Sequence, residues 1–191
     1  MTYPRDDAPP TTSKHGDAAD AATESLIDAK GSSAIATAVT INRPVAEVYA
    51  YFRDFANLPS FMENVISIEV TDDKTSHWTV KAPAGATVSW DARITQEEPD
   101  RLIAWTSEPG ADVPNSGRVT FRDAGPRGTV VTATIAYDPP GGVIGKVIAK
   151  MFQREPAIQA RRDLARFKQL MEAGEIATPA MTLKQFEEMG L

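Results

Sequence analysis

The stretch YDPPGGVIGKVIAKMF, Tyr137 to Phe152, divides the chain into two kinds of sequence. Before it, apolar and polar residues alternate, as on a β-strand buried on one side. After it, apolar residues recur at helical spacing. Pro139 and Pro140 end the last strand, because neither carries a backbone donor for a ladder. Gly141 and Gly142 permit backbone conformations that other residues resist. The junction reads either as an ordinary strand-to-helix connection or as a hinge that lets the first part of the helix tilt off the sheet.

Towards the C-terminus, Ile144, Val147, Ile148 and Met151 form one stripe, and Lys146, Lys150 and Arg154 another. Pro156 lacks an amide hydrogen and is expected to kink or divide the helix. Beyond it Ala160, Leu164, Phe167 and Met171 restore an apolar stripe to about Ala173. The closing MTLKQFEEMG reads as a short tail helix.

Towards the N-terminus lie six alternating runs. ENVISIEVTD sets Ile66, Ile68 and Val70 inward, and SHWTVKAP sets Trp78 and Val80 inward. TVSWDARITQ contributes Val88, Trp90, Ala92 and Ile94, and RLIAWTS contributes Ile103 and Trp105. GRVTFRD offers Val119 and Phe121; TVVTATIAYD offers Val131, Ala133, Ile135 and Tyr137. Turn signals such as TDDKTS and DAGPRG separate them. Further upstream, RPVAEVYAYFRDF reads as a helix and NLPSFM as a short helical turn, with Asn57 as its cap. AIATAVTIN, Ala34 to Asn42, is a first strand.

The expected order is therefore strand, two short helices, six strands and a long helix. A sheet with one wet face needs its other face covered, and only the C-terminal helix is long enough. This predicts an α+β domain over 34–174, an antiparallel sheet wrapped around that helix. Residues 1–33 are rich in Ala, Asp, Thr and Pro and read as a disordered arm. Residues 175–191 are a tail.

The composition restricts the function. The 191 residues include no cysteine, which removes disulfides, thiolate catalysis and Cys-based zinc sites. No apolar run approaches the ~20 residues that span a bilayer, and the first residues lack the apolar core of a signal peptide. The expected location is cytoplasmic, with a peripheral position at the inner face of a membrane as an option. The net charge of −6 argues against nucleic acid. Between Pro139 and Gly174 the net charge is instead +4, which leaves −10 elsewhere. That basic segment is either a solvated helix face or a face that meets an anionic surface or partner.

The motifs TINRPVAEVYAYFRDFANLPSFM, SHWTVKAPAGATVSWDARIT, RLIAWTS, SGRVTF and YDPPGG, in this order, resemble the helix-grip (Bet v 1/START-like) superfamily, also called SRPBCC. They are most similar to its polyketide cyclase/dehydrase branch, which includes coenzyme Q-binding START-like proteins. The resemblance covers about Ala34 to Gly174. It implies a curved antiparallel sheet gripping the last helix, with an apolar cavity between them for a hydrophobic small molecule.

The residues accord with a cavity. Expected to line it are Tyr51, Phe55, Phe61, Trp78, Trp90, Trp105, Phe121, Ile135 and Tyr137, with Ile144, Val147 and Met151 from the helix. Each aromatic taken singly also fits plain core packing. The small residues Ala82, Ala92 and Ala133 would widen the space. Lys146, Lys150 and Arg154 would face a membrane or partner. Catalytic equipment is sparse. His15 lies in the arm, and His77 sits on the strand face opposite Trp78. Asp91 and Arg93 share the outer face. Glu97-Glu98-Pro99-Asp100 reads as a solvated turn. No metal cluster and no cofactor is implied. The expected function is a binder or carrier of a lipid or isoprenoid quinone. The alternative is a cyclase or dehydratase using the same cavity, which would need polar groups aimed inward.

Overall fold

A computed structural model describes residues 33–82, 85–137 and 156–177. The chain enters as strand β1 (Ser33–Ile41), followed by helix α1 (Val45–Arg53) and a 3-10 turn (Phe55–Ser60). Six strands follow: β2 (Val65–Val70), β3 (Thr75–Lys81), β4 (Thr87–Glu98), β5 (Leu102–Ser107), β6 (Asn115–Asp123) and β7 (Thr129–Tyr137). Helix α2 spans Pro156–Ala173.

The strands form one antiparallel sheet in the order β1-β7-β6-β5-β4-β3-β2. Short turns can join β2 to β7 in sequence, whereas β1 lies at the far edge beside β7, in register from Ser33↔Tyr137 to Ile41↔Thr129. The chain between β1 and β2 must therefore cross from one edge to the other, and α1 and the 3-10 turn make that crossing. The sheet curls into a half-barrel. Register shifts between Val65 and Ser67 and between Ile94 and Gln96 add the local bending that an extra residue imposes.

The expected inward faces of β3, β4 and β6 are the observed ones: Trp78, Val80, Val88, Ala92, Ile94, Val119 and Phe121 are buried. β2 departs from strict alternation. Val65 and Ile68 are buried, while Ile66 is 46% exposed and Val70 52% exposed. The shift between Val65 and Ser67 resets the alternation at Ile66. Val70 pairs with Ser76 on the inner side but sits at the end of an edge strand, where nothing covers it sufficiently.

At the turn after α1, the cap differs from expectation. Asp54 Oδ1 accepts from the Ala56 amide at 3.3 Å, while the Asn57 side chain donates to the Tyr51 carbonyl at 3.2 Å. Asp54 is the residue that immediately precedes the turn, which is where a cap must stand.

The second half of α2 is fixed to the sheet by a phenylalanine cluster. Phe167 is wholly buried, stacks on Phe61 at 4.6 Å between centroids, and meets Phe52 edge-on at 5.8 Å. Phe52 in turn meets Phe121 edge-on at 5.7 Å. These rings tie α1, the 3-10 turn, β6 and α2 together. Polar contacts hold the same end. Arg43 donates from Nε to the Met171 carbonyl at 2.8 Å and from Nη2 to the Glu172 carbonyl at 3.0 Å. These are carbonyls that the last turn of a helix leaves unpaired. Gly174 follows with φ +79°, a left-handed conformation suited to glycine, and its amide donates to the Leu170 carbonyl at 2.9 Å.

Phe167→Ala should therefore lower stability by about 3–5 kcal/mol, the usual cost of deleting a buried phenyl ring. Urea unfolding followed by far-UV circular dichroism checks this. A loss below about 1 kcal/mol would mean that this cluster does not hold the helix.

Candidate functional site: an apolar cavity under the C-terminal helix

Above the phenylalanine cluster, the first half of α2 does not meet the sheet closely. A cavity of about 340 Å³ lies there, bordered by α1, the 3-10 turn, β2 to β7 and the residues from Ile158 to Leu164. Its sheet wall is aromatic. Trp78 and Trp90 are cross-strand partners whose rings lie 6.2 Å apart and 11° from parallel. Phe55 meets Trp78 edge-on at 5.9 Å. Trp105 lies flat over Gly117, its partner on β6. A Cβ at position 117 would come within 2.1 Å of the indole, so any other residue would push the ring away. Glycine here sets the depth of the cavity, a packing requirement that alternation does not reveal. The chain has three tryptophans, and all three border this one space.

Of the residues expected to line a cavity, Phe55, Phe61, Trp78, Trp90, Trp105 and Ile135 do so. Ala133 also borders it, one of the three alanines expected to widen the space. Phe121 lies deeper, packed edge-on against Tyr49 at 5.3 Å and against Phe52, and does not border the cavity. Tyr51 packs on Phe167 at 6.0 Å and shares a hydrogen bond of 3.2 Å with the Ser60 hydroxyl at the surface. Both therefore belong to the packing around the cavity and not to its wall. The Tyr137 side chain and residues Ile144, Lys146, Val147, Lys150, Met151 and Arg154 lie outside the described residues, as do the PPGG junction and the tail.

The cavity is more polar at one end than the alternating strands predict. Asn64, Gln159, Arg162 and Asp163 border it, and Asn115 does so elsewhere. These residues come from a loop, from a strand start and from a helix face, so period-two alternation could not expose them. The spacing of Gln159 and Asp163, four apart on one helical face, was the available signal. Asn115 is committed to the protein. Its Nδ2 donates to the Val113 carbonyl at 2.9 Å, and its Oδ1 lies 3.4 Å from the Trp105 indole nitrogen. Asp163 Oδ1 accepts from the Glu63 amide at 3.1 Å and from Gln159 Nε2 at 2.9 Å. Burial nevertheless dominates and pushes the Asp163 carboxyl up to about 6.

The remaining candidates are structural. His77 Nδ1 pairs with Asp91 on the outer face at 2.7 Å, and Arg93 pairs with Glu108 at 2.5 Å, so Asp91 and Arg93 do not pair with each other. Glu97, expected to be solvated, accepts from the Tyr49 hydroxyl at 2.8 Å and from Arg53 Nε at 2.5 Å. Burial, followed by that bond to Glu97, raises the Tyr49 hydroxyl well above the usual phenol range. This group ties α1 to β4, and none of its three residues borders the cavity. No group of three or more metal-ligating side chains occurs among the described residues, and no helix there is long and apolar enough to cross a membrane.

A curled antiparallel sheet closed by a C-terminal helix over an apolar cavity defines the helix-grip class of START-like domains. The chain belongs to the polyketide cyclase/dehydrase and lipid transport family, whose sequence model matches residues 41–165. It is 32% identical over 141 residues to an uncharacterized 17.2 kDa protein of Streptomyces lincolnensis, covering 73% of this chain and 90% of that one. It is 46% identical to a protein of Deinococcus radiodurans with a known crystal structure, covering 74% of this chain and 99% of the other, with a TM-score of 0.60. The ZhuI aromatase/cyclase of a Streptomyces species has the same fold at 15% identity, with 76% and 99% of the two chains covered and a TM-score of 0.60.

The position of Asp163 sets a pH dependence. The native carboxyl holds its proton up to about 6, whereas the unfolded chain releases it near ~4. Between those values the native state binds more protons, so this group's contribution to stability falls as pH rises and is flat above the window. Asp163→Asn keeps an acceptor for the Glu63 amide and carries no charge. It should melt about 2–4 °C above the parent at pH 7.5, a gain on the order of 1 kcal/mol, and should flatten the slope between pH ~4 and ~6. Thermal melts across that range check it; parallel profiles for the two proteins would contradict it.

Proposed function

We propose that the protein is a non-catalytic binder or carrier of a hydrophobic small molecule of the lipid or isoprenoid quinone class, held in the cavity between α2 and the sheet. The observation that carries this reading is the concentration of all three tryptophans on one cavity wall, where a core could have been filled instead. Apolar walls with a few polar groups at one end describe a small-molecule site. The driving force suffices. About ten methylenes leaving water would yield ~8 kcal/mol, the scale of micromolar affinity before the costs of ordering the ligand. Membrane delivery through Lys146, Lys150 and Arg154 belongs to the same reading and rests on their spacing in the sequence alone.

One observation favours a second reading, a cyclase or dehydratase of the polyketide type: Asp163, with a carboxyl near 6 at the cavity, could exchange a proton with a bound substrate near neutral pH. No second acid or base borders the cavity among the described residues, which is why binding without turnover is preferred.

Native mass spectrometry of the purified chain, with extraction of whatever departs on activation, tests the proposal. A co-purifying lipid or quinone of unaltered structure is expected. Ala133→Phe, which puts a ring into the space, should reduce its occupancy at least about tenfold while the protein stays folded. Ligand-free protein that also ignores a panel of quinones and fatty acids would overturn the reading, and recovery of chemically altered molecules would favour the enzyme.

A further inference from the structure

Most polar groups around the cavity are already partnered. Asn115 is bonded to Val113 and lies beside Trp105, and the Trp78 indole donates to Ser76 Oγ at 2.9 Å. At the helix end of the cavity two groups differ. Arg162 and Asn64 both border the space, and neither side chain has a hydrogen bond or ion pair among the described residues. They come from different elements, α2 and the loop before β2, and a short network brings those elements together. Asp163 receives the Glu63 amide, the Lys81 amide donates to the Asn64 carbonyl at 2.8 Å, and Lys81 Nζ donates to the Glu63 carbonyl at 3.1 Å. The bond between Asp163 and the Glu63 amide thus joins the neighbour of Arg162 to the neighbour of Asn64.

The chemistry of these two groups is weighted towards donors. A guanidinium offers only donors, and a carboxamide adds two more beside its carbonyl acceptor. Both residues border the same apolar chamber as Trp78, Trp90 and Trp105. We propose that this end of the cavity is a head-group site: Arg162 and Asn64 together hold an acceptor oxygen, a carbonyl or carboxylate, of an amphiphile whose apolar body lies on the tryptophan wall. This rests on the cavity reading above and adds to it the chemical class of the ligand's polar end. Arg162 also explains how an amphiphile orients on entry. A charged guanidinium at an exposed position holds the oxygen near water, while the apolar body gains by moving inward.

Three probes with one ring system separate head from body: 2-methylnaphthalene, its 1,4-quinone menadione, and 2-naphthoate. Equilibrium dialysis of each against the full chain and against Arg162→Gln gives the affinities. The chain contains no cysteine with which a quinone could form a thiol adduct. At least one oxygen-bearing probe is expected to bind about tenfold or more tightly than the hydrocarbon. That advantage should shrink to within about threefold in Arg162→Gln, while hydrocarbon binding stays unchanged. Preference for menadione would identify a carbonyl head, and preference for naphthoate a carboxylate head. Equal binding of all three to the parent protein overturns the head-group site, and so does an advantage that survives in Arg162→Gln. Failure of every probe, the hydrocarbon included, contradicts the cavity reading itself and removes this proposal with it.

Discussion

One ring stack decides what the rest of the molecule can do. Phe167 lies on Phe61 and against Phe52, and this fixes the second half of α2 to the inner face of the sheet. Arg43 holds the carbonyls of the same end. A seven-stranded sheet that curls cannot be filled along its whole width by one helix, so contact at one end leaves separation at the other. The tight half supplies stability, and the separated half roofs a chamber. Stability and capacity for a ligand thus reside in different turns of one helix.

The chamber is built by size as much as by polarity. Gly117 admits the flat Trp105 ring, and Ala133 leaves room beside it. Trp78 and Trp90, paired across β3 and β4, extend the same surface. Such walls give affinity that depends on apolar area and has little directional preference. Direction must come from the polar end, where Asn64, Gln159, Arg162 and Asp163 stand. The family to which the chain belongs includes both cyclases and lipid transport in its description, so family alone does not divide binding from catalysis. The division lies in which polar groups meet the ligand, and Asp163 is the residue on which the two readings differ.

Much of the architecture was legible because strand alternation and helix spacing carry different periods. Trp78, Trp90 and Trp105 could be assigned to the inner face from their neighbours alone. Periodicity gives a face but no depth. Phe121 shares a face with Trp105, yet only the latter reaches the cavity. It also fails where one extra residue enters a strand, as at Ile66. The polar end was hidden for a third reason: Asn64 sits in a loop and Arg162 and Asp163 on a helix, so only the folded chain brings them together. Asn57 was the cap expected from residue type, whereas Asp54, which directly precedes the turn, is the one observed.

Empty space beside the tryptophans is the feature on which ligand binding depends, and xenon probes it directly. Xenon enters apolar cavities that water leaves unfilled. Crystals of delipidated protein under xenon pressure should show gas density bordered by Trp78, Trp90 and Trp105. Absence of xenon, with side chains occupying that volume, would contradict the account.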